Sequence, residues 1–131
     1  MEYLRTKIIK LLINYFGNDN NRIEHALRVL YHSENIMQKY DSCDQDIVIA
    51  CALLHDIGIK ISEEKFGYNN GKTQEEFGPD VAEELLSSIN FPGEKTIKVK
   101  EIIGNHHSKS RYDYVELVIL KEADKIVNNG G

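Results

Sequence analysis

The chain has 131 residues, a formal net charge of -5 at pH 7, and 41% apolar and 28% charged residues. This length suits a single domain over residues 1–131, able to bury roughly two thirds of its unfolded surface. The composition is ordinary for a globular protein and excludes disorder as the main state. The acidic balance, with no basic run in the chain, argues against nucleic acid as the principal partner.

The two cysteines, Cys43 and Cys51, are too few for a disulfide framework. Cys51 lies in the apolar run IVIACALL, where a buried reduced thiol is expected. The sequence contains no signal-peptide pattern and no apolar stretch of about 18 residues that could span a membrane. We therefore expect a cytoplasmic protein without a membrane partner, and the oligomeric state stays open.

Hydrophobic periodicity predicts helices along the whole chain, and no alternating pattern bounded by turns indicates a strand. In chain order the predicted helices cover about residues 2–16, 21–40, 44–57, 79–90, 94–106 and 113–127. The third is apolar at every position from Ile47 to Leu54, which is typical of a central helix that is buried on all sides.

Residues 58–78 interrupt this pattern with four glycines and an Asn-Asn-Gly turn. We interpret them as a long loop with at most one short turn of helix, and loops of this length tend to be lids or binding segments. Pro79 suits the first turn of the helix that follows. The predicted fold is therefore an all-α, compact bundle of about six helices.

His55 and Asp56 stand at the end of the most apolar helix, just before Gly58. Neighbouring side chains on a helix point about 100° apart, so these two reach one ion only if it lies over the helix end. A histidine near the helix dipole beside a capping aspartate would explain the pair without a metal. The doublet alone leaves both interpretations open.

Viewed along the axis of the last helix, Asp124 lies between Leu117 and Leu120, on the side that faces the core. A carboxylate in that position is costly unless it is paired or bound to a cation. Pairing with Arg22 or Lys125 is the alternative to a metal ion. Asp124 alone does not decide between them.

Together with His25, at the border of the apolar side of the second helix, these residues form a set of two imidazoles and two carboxylates. Such a set suits Mn, Fe, Co, Ni or Zn better than calcium. A divalent ion there would lower the pKa of a bound water and polarise a phosphoryl group. A lone histidine like His25 is more often structural, and a buried hydrogen-bond network without metal is the alternative for the whole set.

The order of these residues resembles the signature of the HD-domain superfamily of metal-dependent phosphohydrolases. The matching segments are RIEHALRVL, ALLHDIGIK and LKEADKIV, and their spacing covers nearly the whole chain. The resemblance implies a helical fold and hydrolysis of phosphomonoesters or phosphodiesters, often of nucleotides. It also implies that the metal ligands are His25, His55, Asp56 and Asp124.

Many dinuclear members of that superfamily have a further histidine near the helix after the long loop, where this chain reads GKTQEEFGPDVAEELL. The pair His106-His107 resembles a later histidine position of such members. We therefore expect one divalent metal ion, with room for a second through His106 or His107.

For catalysis we expect Asp56 to orient the attacking water and accept its proton, and His107 to assist the leaving group. Candidates for binding the substrate are Arg22, Lys60, Lys72 and His106. A solvated surface side chain is the alternative for each of the three cations. The predicted function is a phosphoric-ester hydrolase acting on a small phosphorylated metabolite such as a nucleotide, and the alternative is a catalytically silent module that senses or binds a ligand.

Overall fold

The computed structural model describes residues 3–109 and 111–131, which contain seven helices and no strand. The predicted all-α class is confirmed, and the predicted start of the first helix at residue 2 lies outside the described residues. The helices are α1 (Leu4–Phe16), α2 (Asn20–Met37), α3 (Gln45–Leu54), α4 (Ile59–Phe66), α5 (Gly71–Ser87), α6 (Gly93–Ile103) and α7 (Val115–Asn128). Within these ranges, no helix has both the length and the apolar character needed to cross a bilayer.

Helix α3 forms the centre of the fold, as its continuous apolar run predicts. Every residue from Ile47 to Leu54 is buried, and α3 packs against α1, α2, α6 and α7. Its start is fixed by the side chain of Asp44, which accepts a hydrogen bond from the backbone N–H of Ile47 at 3.2 Å. The end of α3 is therefore held in the interior, between α2 and α7.

The predicted loop over residues 58–78 is wrong, because α4 and the first two turns of α5 occupy most of it. Helix α5 begins at a capping box in which Asn70 and Thr73 each accept a hydrogen bond from the other's backbone N–H at 3.0 Å. Helix α4 ends at Gly67, whose φ of 77° is a left-handed conformation that favours glycine. These caps are local signals that hydrophobic periodicity does not detect.

The placement of Pro79 in a first helical turn is also wrong, since α5 begins eight residues earlier, at Gly71. A proline inside a helix removes one hydrogen bond and restricts the preceding residue. Here the preceding residue is Gly78, which has no Cβ to clash with the proline ring. The helix therefore continues through the proline.

Two helices end earlier than their apolar patterns predict. Helix α3 stops at Leu54 and α6 stops at Ile103, so His55 and His106 both lie just beyond a helix end. His55 keeps helical backbone angles, with φ of -61° and ψ of -30°, so its side chain still follows the direction that α3 sets.

The carboxylate of Glu116, in the first turn of α7, is buried and joins three elements. It accepts a hydrogen bond from the backbone N–H of Asp44 at 2.7 Å and pairs with Lys98 of α6 at 2.8 Å. Burial alone would raise the pKa of Glu116, but the Lys98 ammonium and the backbone donors lower it from its ordinary 4.5.

We expect Glu116→Ala to lower the free energy of unfolding by about 2 kcal/mol, because it leaves Lys98 and the Asp44 N–H without a buried partner. Since the folded state has the lower pKa, this contribution is complete above pH 4.5 and is lost as the pH falls below that value. Urea denaturation from pH 7 downwards measures both effects. The exposed Glu122 on the same helix provides the control, and an equal loss in Glu122→Ala would contradict the prediction.

Candidate metal centre

The four predicted ligands converge where α2, the end of α3 and α7 meet. The Nε2 atom of His25 lies 3.3 Å from Nε2 of His55, 3.3 Å from Oδ2 of Asp56 and 3.2 Å from Oδ1 of Asp124. His55 Nε2 in turn lies 3.3 Å from Asp56 Oδ2 and 3.4 Å from Asp124 Oδ1. Residues separated by up to 99 positions in the chain thus bring their donor atoms to one place.

These separations fit donor atoms that share a first-row metal ion. Ligand bonds of roughly 2.1 Å place neighbouring donors roughly 3.0–3.4 Å apart in octahedral or tetrahedral geometry. The five measured separations are 3.2–3.4 Å. The donor set of two imidazole nitrogens and two carboxylates is also one that Mn, Fe, Co, Ni and Zn accept.

The protonation of His55 supports the same interpretation. Its Nδ1 donates a hydrogen bond to the carbonyl oxygen of Ala52 at 2.8 Å, so in the neutral ring Nε2 carries a lone pair directed at the cluster. Histidine ligands of metals commonly hold their other ring nitrogen in this way. Nε2 of His25 lies 3.3 Å from Nε2 of His55, a separation at which the two rings can share a proton or a cation.

Without a metal, protons compensate the charges in this cluster. Burial disfavours a charged His55, but the adjacent carboxylates of Asp56 and Asp124 raise its pKa well above the usual value. Burial likewise opposes ionisation of Asp56, yet His55 and His106 hold its pKa well below the usual range. The pKa of Asp124 is lowered too, against its burial, by hydrogen bonds from His25 and His55. The pocket is thus built for positive charge between two ionised carboxylates.

His106 lies on the other side of Asp56 and has an unusual buried nitrogen. Its Nδ1 donates to the carbonyl oxygen of Ile103, so Nε2 is the nitrogen that faces Asp56. Among the described residues this buried Nε2 has no hydrogen-bond partner, and it points towards Asp56 Oδ1 at 3.8 Å. The donor atoms of Asp56, His106 and His107 lie within 4.8 Å of one another. Asp56 therefore presents one oxygen to each of two clusters.

His107 is oriented by α5. Its Nε2 hydrogen-bonds the Oε1 of Gln74, so Nε2 carries the proton, and its backbone N–H donates to Glu75 at 2.9 Å. Partial burial, and then the nearby His106, lower the pKa of His107. The ring is consequently neutral at pH 7 and has Nδ1 available as an acceptor.

The three predicted substrate-binding cations have different surroundings. Arg22 forms a two-point ion pair with Glu63 of α4 at 2.8 and 2.7 Å. Lys60 donates to the carbonyl oxygen of Tyr15 at 3.2 Å and lies over its ring. Lys72 is exposed in the first turn of α5.

Of these three, Lys72 is next in the chain to a residue that packs against the candidate site. It follows Gly71, where an added Cβ would lie 2.9 Å from Cβ of His107. The first turn of α5 thus passes directly against the His107 side chain. Arg22 and Lys60 contact partners on α4 and α1, but the pKa of Arg22 is raised by Glu63 and also by Asp56, so its guanidinium also lies within electrostatic reach of the site.

A cavity of about 220 Å³, the inner cavity, opens beside the four converging side chains. Its lining includes His25, Asp56 and Asp124, together with Gln74 and Asn128, which the sequence analysis did not select. Gln74 lies in the segment interpreted as a loop, so helical periodicity could not predict the orientation of its side chain. Asn128 stands one turn after Asp124 on α7, and that spacing is the signal that could have identified it.

Gln74 also connects the inner cavity to α4. Its side-chain amide donates to Asn69 at 2.9 Å, and Asn69 donates to Glu63 at 2.9 Å. Through the ion pair with Arg22, these bonds form one continuous chain from α2 to His107. Polar networks of this kind hold side chains rigidly when every member has a partner.

Comparison with known proteins agrees with this geometry. The sequence model of the HD domain matches residues 22–129, so the chain belongs to the HD domain family. It therefore falls in the class of metal-dependent hydrolases that the motifs implied. None of the curated proteins compared with the chain matches it significantly.

The fold is similar to the crystal structure of a predicted HD superfamily hydrolase from an uncultured Thermotogales bacterium. The TM-score is 0.72 and the sequence identity is 26%, and the match covers 93% of this chain and 67% of the other. The suspected family and the helical fold are both confirmed.

Proposed function

We propose that this chain is a metal-dependent phosphohydrolase that acts on a small phosphorylated metabolite, with nucleotides as the first candidates. The observation that supports it is that the Nε2 atoms of two imidazoles lie 3.3 Å apart and each lies 3.2–3.4 Å from both carboxylates, beside an open cavity.

In this proposal one divalent ion is held by His25, His55, Asp56 and Asp124. When bound, such an ion lowers the pKa of water and polarises a phosphoryl oxygen. The free Nε2 of His106 and the second oxygen of Asp56 support a place for another ion, with His107 beside it. The minimal site in this proposal holds one ion.

The chain's own groups would move the protons. Asp56 is ionised at neutral pH, so it can accept a hydrogen bond from water, orient its oxygen towards phosphorus and take up the proton as the water attacks. As the new P–O bond forms, the ester P–O bond breaks and the leaving oxygen needs a proton. His107 faces the inner cavity and is the proposed donor, because a bound phosphate dianion would raise the pKa of its imidazole.

Substrate binding by the predicted cations is the finer part of the proposal. Lys72 is a candidate because the residue before it, Gly71, packs on His107. Arg22 would have to exchange Glu63, and Lys60 would have to leave Tyr15, before either bound a phosphate. His106 is buried beside Asp56 and would act through that carboxylate.

The test is hydrolysis of a generic phosphoester and a nucleotide panel by protein loaded with Mn, Fe, Co, Ni or Zn. We expect metal-dependent turnover that is lost in Asp56→Ala, because this carboxylate serves both the ion and the attacking water. Stoichiometric metal without turnover of any ester would favour the ligand-sensing alternative. Protein purified without chelator and devoid of metal would leave only a structural hydrogen-bond network.

A further inference from the structure

A second, wider cavity adjoins the inner cavity on the side of α7. It has a volume of about 420 Å³ and shares three lining residues with the inner cavity: His107, Asp124 and Asn128. A molecule bound at the metal centre can therefore extend into this outer cavity without leaving the protein surface.

The two cavities differ in the charge of the side chains that line them. The lining of the inner cavity includes two carboxylates and no lysine or arginine, whereas the outer cavity is lined by Lys121 and Lys125. These lysines stand four residues apart on α7, hence on one face, and bracket Asp124. In a chain with a net charge of -5, this is a local concentration of positive charge beside an acidic centre.

Lys121 is held at the cavity wall by a contact that leaves most of its donors free. Its Nζ donates to the carbonyl oxygen of Ser108 at 2.6 Å, which uses one of three N–H groups. Asn128 and Asn129 add side-chain amides to the same wall. The wall is thus suited to an oxyanion with several acceptor oxygens, such as phosphate.

Among the described residues that line the two cavities, the only rings are those of histidines, and none is a phenylalanine, tyrosine or large aliphatic side chain. Charge and hydrogen bonds therefore dominate recognition in these cavities, and a lysine pair supplies both for a second anionic group.

We propose that Lys121 and Lys125 bind a second phosphate of the substrate, while the first phosphate lies at the metal centre. The preferred substrate then carries two phosphates close together. This inference rests on the proposed phosphohydrolase function, because it takes the inner cavity as the place of the reacting phosphate.

The test compares inorganic pyrophosphate with inorganic phosphate as ligands of the metal-loaded protein. Both anions are titrated calorimetrically at a fixed free metal concentration, and as competitive inhibitors of monoester hydrolysis. Each lysine contributes a charged hydrogen bond, so we expect wild-type protein to prefer pyrophosphate by about tenfold or more. The double variant Lys121→Gln/Lys125→Gln should lose this preference and retain its affinity for phosphate within about twofold.

Lys39→Gln is the control for the loss of a surface lysine elsewhere and is compared with the single variants Lys121→Gln and Lys125→Gln, because Lys39 is exposed beyond the end of α2. Lys39 follows Met37, the last residue of α2, which is roughly 18 Å from His25 along the helix at 1.5 Å per residue. Lys39 is therefore remote from the metal centre. Chelation of metal by pyrophosphate is the same for every variant, so it cancels when their preferences are compared.

Equal affinity of the wild-type protein for both anions would overturn the inference, as would an unchanged preference in the double variant. Calorimetric binding is read without turnover. Failure of the second-phosphate site can therefore be distinguished from failure of the hydrolase function, which the ester panel alone decides.

Discussion

Asp124→Asn is expected to lower the affinity for the divalent metal by about 100-fold or more, since even residues that only support a ligand cost 10–100-fold. Metal-dependent hydrolysis should be lost with it. The reason is that an amide is uncharged and leaves two imidazoles and Asp56 to hold the ion. Titration with Mn²⁺ or Zn²⁺, followed by elemental analysis of the dialysed protein, measures the effect.

The helical fold should survive this substitution. Asparagine has nearly the shape of aspartate, and the Asp124 side chain is 14% exposed, so its burial is incomplete. Circular dichroism checks that α7 is intact. Glu122→Gln makes the same chemical change on an exposed position of the same helix and should leave metal affinity unchanged. An Asp124→Asn protein that keeps stoichiometric metal and full activity would contradict the proposed centre.

The convergence of these four residues could be predicted because their signals are independent of exact helix bounds. Asp124 is identified by its apolar neighbours on α7, and the His55-Asp56 doublet by the end of an apolar run. Both signals persist when α3 ends three residues before the predicted residue 57. Periodicity therefore identifies the doublet and Asp124 as candidates, whereas the inclusion of His25 and the four residues as one set of ligands depended on the family resemblance.

The region around Gln74 could not be predicted in the same way. The ends of α4 and α5 are set by the capping hydrogen bonds of a few residues, such as those of the Asn70–Thr73 capping box. A proline also lies inside α5. Weak amphipathic patterns with internal glycine and proline favour a loop when only periodicity is used. The hydrogen bond from Gln74 to His107 depends on that helical turn, so it was hidden as well.

Long-range partner choice is a second limit of the sequence. Lys125 was considered as the partner of Asp124, yet it lines the outer cavity, and Arg22 pairs with Glu63, 41 residues away. Spacing along one helix shows which side a cation occupies. The spacing does not show which carboxylate from another element forms an ion pair with that cation.

Gly58→Ala is expected to lower the free energy of unfolding by about 3 kcal/mol, a typical cost of forcing a methyl group into a packed interior. A Cβ at Gly58 would lie 2.6 Å from the backbone nitrogen of Gly78 and 2.8 Å from the carbonyl oxygen of Gln74. Both atoms belong to the backbone of α5, so no side-chain rotation can relieve the contact. Chemical denaturation of the two proteins measures the loss.

The same substitution should also weaken metal binding, because Gly58 lies between Asp56 and the turn of α5 that orients His107 through Gln74. Gly93→Ala is the matched control: an added Cβ there meets nothing within 4 Å, and Gly93 begins α6. Alanine should leave that site neutral or stabilise it by up to about 1 kcal/mol. If both variants were equally stable, close contact between α4 and α5 would not be what fixes the position of Asp56.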